Sequence, residues 1–345
     1  MIWFYLLITL LLLATITDYY RRYTKVTLFI SFFLLLIVAG FRNMGGSDYI
    51  VYRDHFNGFE GSRWEIGYEL VVSFFRFIGF NYFFFVFFVS LFTLIALFYC
   101  IRKYSQYPQF SLMLYFGGYF VYYNLIATRQ LIALMIFLFS LQYLIDKKDV
   151  KFLLLILFGS LFHSSSLILI PGYFFVRFFK FNFWYILVAS FPIYIIFQFK
   201  IEDLIGFFAA NGFNFVESRM VDGYMVADRS LPITTFVRIG VTLSLFVSSY
   251  KNLKDNESYI VYFKLYFLFV LFFIAFNQLD IMIRMWVYFE MPSIFLIPMV
   301  LKEMNNKFLR FFFYFLYLSF FISSLLVLLN GFDDGDLKKF NLIFL

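Results

Sequence analysis

A single cysteine, Cys100, excludes an intramolecular disulfide and a thiolate metal cluster. Two histidines, His55 and His163, put a histidine-rich metal centre out of reach. No metal or cofactor is therefore expected, and only an all-oxygen cation site stays open. The chain has no Gly-x-x-x-x-Gly-Lys-Ser/Thr string, so the phosphate loop of nucleotide-binding proteins is missing. Charge is scarce too: 14% of the 345 residues are charged, against 63% hydrophobic and 26% aromatic. Such a chain cannot present a soluble surface, and the bilayer must be its solvent. The net charge of +7 calls for no nucleic acid, because basic loops on one side of the membrane account for it.

What is there is a series of apolar runs: 1–17, 26–41, 82–100, 108–125, 130–145, 152–162, 164–176, 183–199, 232–249, 259–276, 285–301 and 311–329. They predict an all-α polytopic membrane protein of about twelve transmembrane or re-entrant helices, a single domain over 1–345. The short pair flanking His163 reads either as two short helices or as a re-entrant hairpin. The first run ends in Asp18-Tyr19-Tyr20-Arg21-Arg22 instead of a small-residue cleavage site, so it predicts an uncleaved span. Both termini then fall on the external side.

Alternate loops differ in their cations. One side holds ten lysines and five arginines, and the rule of positive loops makes it cytoplasmic. The other side, with the membrane mouths beside it, holds nine arginines (Arg42, Arg53, Arg63, Arg76, Arg129, Arg219, Arg229, Arg238 and Arg284) and three lysines. Interfacial snorkelling is one explanation of that bias. The other is that a guanidinium offers phosphate or carboxylate a fixed two-pronged fork, which an ammonium cannot.

Two long stretches of low hydropathy interrupt the runs on the arginine-rich side, at about 42–80 and 200–231. Loops of this length generally bind or catalyse something. The first ends in a mixed segment, 67–80, in which Leu70, Phe74, Phe77 and Ile78 recur at helical spacing with Arg76, suiting a helix in the membrane interface. Its densest cluster is Gly45-Gly46-Ser47-Asp48-Tyr49, with Arg42 before it and Tyr52, Arg53 and Asp54 after it. Polar groups also stand at the lips of apolar helices: Arg129-Gln130, His163 with three serines, and Asp280 with Arg284 and Tyr288. Ionisable groups there are functional candidates by default. For Asp280 and Arg284 a mutual ion pair at i, i+4 is the plainer reading, and for His163 a hydrogen bond to serine. His55, in an aqueous loop, reads as an ordinary solvated ring.

Four strings together resemble the EpsG-like membrane proteins, which stand among the Wzy-type polymerases of bacterial surface polysaccharides. They are Phe41-Arg42-Asn43-Met44-Gly45-Gly46-Ser47-Asp48-Tyr49-Ile50-Val51-Tyr52, Asn124 to Ala133 with Thr128-Arg129-Gln130, Phe162-His163-Ser164-Ser165-Ser166-Leu167 followed by Pro171, and Arg284-Met285-Trp286-Val287-Tyr288. The resemblance runs from Val38 to about Pro298.

It implies glycosyl transfer at the outer face of the inner membrane, joining repeat units carried on undecaprenyl pyrophosphate within a laterally open cavity. A flippase and a chain-length regulator of the same pathway are the implied protein partners. In that setting Arg129 and Arg284, then Arg42, are the candidates for pyrophosphate, with Gln130, Tyr49, Tyr52 and Tyr288 beside them. Arg53, Arg219 and Arg229 are further candidates for substrate. Asp48 is the preferred base, with His163 the alternative. A ligase, a membrane O-acyltransferase and a flippase or transporter remain rivals. The transporter predicts broken helices with paired charges near the midplane.

Overall fold

Apolar backbone in a bilayer must satisfy its own N–H and C=O groups, and a helix does so within one segment. The structure, a computed structural model, describes residues 2–20, 23–43, 48–59, 64–179, 233–276, 280–331, 340 and 342, and among them every regular element is a helix. The expected run 183–199 and the second external stretch lie outside the described residues.

Two compact units are distinguished, Met1–Leu167 with Ile294–Leu345, and Ile168–Ser293. The first unit begins with α1 (Ile2–Thr15), α2 (Thr17–Tyr20) and α3 (Thr24–Gly40). Next come α4 (Asp48–Phe56), α5 (Ile66–Phe77), α6 (Tyr82–Tyr104) and α7 (Pro108–Tyr115). The chain continues α7 as a π-helix, Phe116–Ile126, before α8 (Thr128–Ile145) and α9 (Asp149–Ser160). A 3₁₀ turn, Ser164–Ile168, leads to the second unit, which contains α10 (Leu169–Phe178), α11 (Ile233–Leu253), α12 (Glu257–Phe276) and α13 (Asp280–Glu290). Helices α14 (Ser293–Glu303) and α15 (Lys307–Gly331) belong to the first unit, apart from Ser293.

Five helical stretches among the described residues are long and apolar enough to cross a membrane: Tyr82–Tyr104, Thr128–Ile145, Glu257–Phe276, Arg284–Glu303 and Lys307–Asn330. Three shorter apolar ones, Phe4–Thr15, Thr24–Gly40 and Ser164–Phe178, accompany them. The run expected over 285–301 is interrupted, with a turn at Met291-Pro292 between α13 and α14. Pro292 has no N–H to continue the ladder.

Contacts in the first unit sort by end. At the lysine-rich end, Lys103 Nζ donates to Gln142 Oε1 and Lys302 Nζ to Gln106 Oε1 at 2.7 Å. At the arginine-rich end, Gly67 N–H donates to the Leu161 carbonyl at 2.8 Å, tying the start of α5 to the end of α9. A Cβ on Gly67 would meet that carbonyl oxygen at 2.8 Å, so only glycine permits the approach. The π-helix is held equally closely, since a Cβ on Gly117 would fall 2.8 Å from Phe321 of α15.

Asp18 closes the lysine-rich end. Its carboxylate accepts the N–H groups of Gln109 at 3.2 Å and Phe110 at 2.9 Å, serving as a cap from 91 residues away for the start of α7. Burial pushes its carboxyl up to about 6, with the two N–H donors pulling the other way. A carboxyl raised above its unfolded value of 3.8 favours the fold least when ionised. The resulting cost is absent below about pH 4, is complete above about pH 6, and is on the order of 3 kcal/mol. The melting temperature in detergent should therefore fall as pH rises through that window, and Asp18→Asn should flatten the dependence. An unchanged slope in Asp18→Asn would place the titration elsewhere.

Candidate functional site

Within the first external stretch α4 forms where a loop was expected, and the helix expected over 67–80 forms as α5. Tyr49, Tyr52 and Phe56 recur at i, i+3 and i+7 on α4 and are buried, as are Tyr68, Val72 and Phe75 on α5. These six side chains join Tyr82 and Phe85 of α6 in one core cluster. The other face of α5 carries Leu70, Phe74, Phe77 and Ile78, all exposed, with Phe77 at 89%. Helix α5 thus has one apolar face packed and one open.

Arg42 lies beneath this cap, two residues after α3 ends, and is 2% exposed. Its Nη1 donates to the Ala39 carbonyl and, at 3.5 Å, to Ser90 Oγ; its Nη2 donates to Thr128 Oγ1 at 3.3 Å. Its Nε has no hydrogen-bond partner, and its backbone forms an isolated antiparallel bridge with Leu342. Every side-chain partner it has among the described residues is a neutral oxygen. Burial lowers its pKa from the ordinary arginine value, opposed by the phenol groups of Tyr82, Tyr49, Tyr52 and Tyr68. The hydroxyls of Tyr49 and Tyr68 are buried without hydrogen-bond partners, and so is Trp64 Nε1. A buried cation with no counter-charge and a set of unsatisfied donors is an expensive arrangement.

Arg129 is placed by the helix break that precedes it. The π-helix ends with Ala127 N–H bonded to the Tyr122 carbonyl at 2.9 Å, Ala127 leaves helical geometry at ψ 57°, and α8 restarts at Thr128. Irregularities of this kind recur at functional sites. The guanidinium pairs with Glu65, donates to Tyr52 OH at 3.4 Å, and stacks on Trp64 with its Cζ 4.5 Å from the ring centroid. Unlike Arg42, it is reachable, its side chain being 23% exposed.

His55 is not the solvated ring expected from its sequence position. It stacks on Trp64 at 4.5 Å between centroids, and its Nε2 lies 3.0 Å from Glu69 Oε1. Burial lowers its pKa, with Glu69 pulling it up and Arg76 down. Arg76 has a structural duty, donating through Nε to the Phe56 carbonyl at 2.6 Å and through Nη2 to that of His55, which caps α4. Arg53 is exposed and pairs with its exposed neighbour Asp54 at 3.3 Å.

The remaining candidates are distributed as follows. Asp48 is the first residue of α4, where a helix N-terminus favours an anion. Gln130 is buried at the start of α8. His163 follows α9, close in sequence to the Leu161 carbonyl that meets Gly67, and its Nδ1 is 2.6 Å from Ser165 Oγ. Arg284 and Tyr288 lie on α13 in the second unit, Tyr288 fully buried. The side chain of Asp280, together with Arg219, Arg229 and the Gly45-Gly46-Ser47 turn, lies outside the described residues. Glu290 pairs with Arg238 at 2.8 Å, and Lys264 donates to the Val176 carbonyl at 2.7 Å.

The structure thus joins the first two strings, Arg42 to Thr128, and adds Trp64, Glu65, Tyr68 and Glu69, which sequence reasoning passed over. A signal for them was present. Tyr68, Val72 and Phe75 mark an inward face on α5, and Trp64-Glu65 stand immediately before that helix. Among the described residues no group of three or more His, Cys, Asp or Glu is arranged to hold a metal ion. The EpsG family model matches residues 25–338 of the chain. No protein of curated function and no solved structure matches it.

Proposed function

This chain belongs to the EpsG family, membrane proteins tied to polysaccharide polymerisation, and from that premise we propose that it joins lipid-pyrophosphate-linked repeat units at its arginine-rich face. That face is the outer side of the inner membrane in this reading, and undecaprenyl is the carrier. The observation that carries the proposal is Arg42, a buried cation whose described partners are all neutral. An anionic substrate is the natural counter-charge for the cluster it organises.

In the proposed reaction an acceptor sugar hydroxyl attacks the anomeric carbon of the growing chain. A new C–O bond forms, the bond from that carbon to the carrier pyrophosphate breaks, and the pyrophosphate leaves with the electron pair. Arg129 stabilises the departing charge with a fixed fork, Glu65 holding its place until the diphosphate takes over. Arg42 adds positive potential from within, felt by the phenol groups of Tyr49, Tyr52 and Tyr68. Gln130 completes the binding set within the first unit, and Arg284 and Tyr288 are proposed substrate contacts of the second unit. Asp48 takes the hydroxyl proton; His163 is the alternative.

A deletion strain is expected to accumulate carriers bearing one repeat unit each. Purified Asp48→Asn should bind lipid-linked units normally and lose single-turnover rate by about 10²–10⁴-fold. Near-normal turnover would move the base to His163.

A second reading, transport of the lipid-linked unit, has its own support. Glu290, ion-paired with Arg238, stands beside the break at Met291-Pro292, the broken-helix and paired-charge combination of transporters. It predicts movement of the unit across the bilayer with no new glycosidic bond.

A further inference from the structure

At the lysine-rich end of the first unit, α3 and α6 enclose a cavity of about 600 Å³. Three cations line it: Lys25 from the first turn of α3, and Arg102 and Lys103 from the last turn of α6. No carboxylate lines it. Lys103 Nζ rests on neutral oxygens, Tyr99 OH at 3.3 Å and Gln142 Oε1, and Lys25 and Arg102 have no hydrogen bond or ion pair to the described residues. Below the cations the walls are apolar. Leu28 and Phe98 form a buried floor, while Phe29 and Ile95 are open to the outside. Phe32 packs edge to face on Phe98 at 5.2 Å, keeping the floor rigid.

Topology alone explains basic residues at this end of the helices. It does not explain three of them converging, unneutralised, on one recess that continues into an apolar trough. The cavity of about 690 Å³ in the second unit makes the contrast: Arg177, Lys254 and Lys264 share it with Asp255 and Glu257. There the protein neutralises its own cations. In the first unit the complementary charge has to come from outside, and the trough says that its bearer has an acyl chain.

We propose that this recess binds an anionic phospholipid, with the phosphate among Lys25, Arg102 and Lys103 and one acyl chain along Phe29, Phe32 and Ile95. A lipid seated there clamps the start of α3 to the end of α6. Those two helices present Arg42 and Ser90, which share a hydrogen bond towards the opposite end, so occupancy steadies the frame of the candidate site. The proposal rests on membrane embedding and stands whether the chain polymerises or transports.

Phe29 is 65% exposed, so Phe29→Trp places a reporter in the trough with little disturbance. In nanodiscs, phosphatidylglycerol with brominated acyl chains should quench the added fluorescence at a mole fraction about ten-fold lower than brominated phosphatidylcholine does. In the same background, Lys25→Gln with Arg102→Gln and Lys103→Gln should abolish that preference, bringing the two lipids to within about two-fold of each other. Lys251→Gln with Lys307→Gln, exposed lysines away from the recess, should leave it intact. Identical quenching by the two lipids would overturn the proposal, as would a preference that survives the triple substitution. Equal loss in the Lys251 and Lys307 control would also overturn it, reducing the effect to general surface charge. If the triple variant does not fold, the lipid comparison in Phe29→Trp alone decides.

Discussion

Arg129→Lys should reduce polymer formation on the order of a hundred-fold, nearly as much as Arg129→Ala. The guanidinium makes three kinds of contact at once: the pair with Glu65, the donation to Tyr52 OH at 3.4 Å, and the stack on Trp64 at 4.5 Å. A lysine ammonium keeps the charge but has no plane to lay on the indole and no second prong for the pyrophosphate. Partial exposure leaves this guanidinium, unlike that of Arg42, open to a ligand. The variant should still fold, because Trp64 and Tyr52 are packed by α4 and α5 independently of it. Polymer length profiles at matched expression check this, and wild-type lengths in Arg129→Lys would remove the residue from the site.

Arg42→Met separates stability from activity. Replacing a buried, uncompensated charge with an apolar chain of similar length is expected to leave stability unchanged or raise it, by about 1–4 kcal/mol in the most favourable case, with the melting temperature unchanged or higher. Activity should nonetheless drop at least a hundred-fold, because the internal cation that faces Tyr49, Tyr52 and Tyr68 is gone. Were Arg42 only a structural strut through Ala39, Ser90 and Thr128, Arg42→Met would lower the melting temperature, and activity would fall no further than the loss of folded protein explains. Thermal unfolding and turnover measured on one preparation tell these apart.

Helices carried by long apolar runs were legible before any coordinates. The starts of α6, α8, α11 and α12 fall within two residues of the expected ones, because hydropathy reports what the bilayer demands. Helix α4 was hidden because its inward face is Tyr49, Tyr52 and Phe56: tyrosine scores as weakly polar, yet its ring packs like any aromatic. The break between α13 and α14 lay inside one apolar run, where a proline does not always end a helix, as Pro298 within α14 shows. Of the site, Arg42, Arg129, Tyr49 and Tyr52 were picked out by residue type and position. Glu65 was not, since its pairing with Arg129 spans 64 residues and leaves no local pattern. Nor was the place of His55, whose neighbours are fixed by how α5 folds back on α4.

The most direct test of glycosyl transfer is reconstitution of the purified chain in proteoliposomes with lipid-pyrophosphate-linked repeat units as the sole substrate. Products are separated by size, and freed carrier diphosphate is counted. The expected result is a ladder of lengthening chains, with one carrier diphosphate released for each glycosidic bond formed. Single units that change leaflet without lengthening, and with no carrier released, would contradict it and assign the Arg238–Glu290 pair and the broken helix beside it to transport.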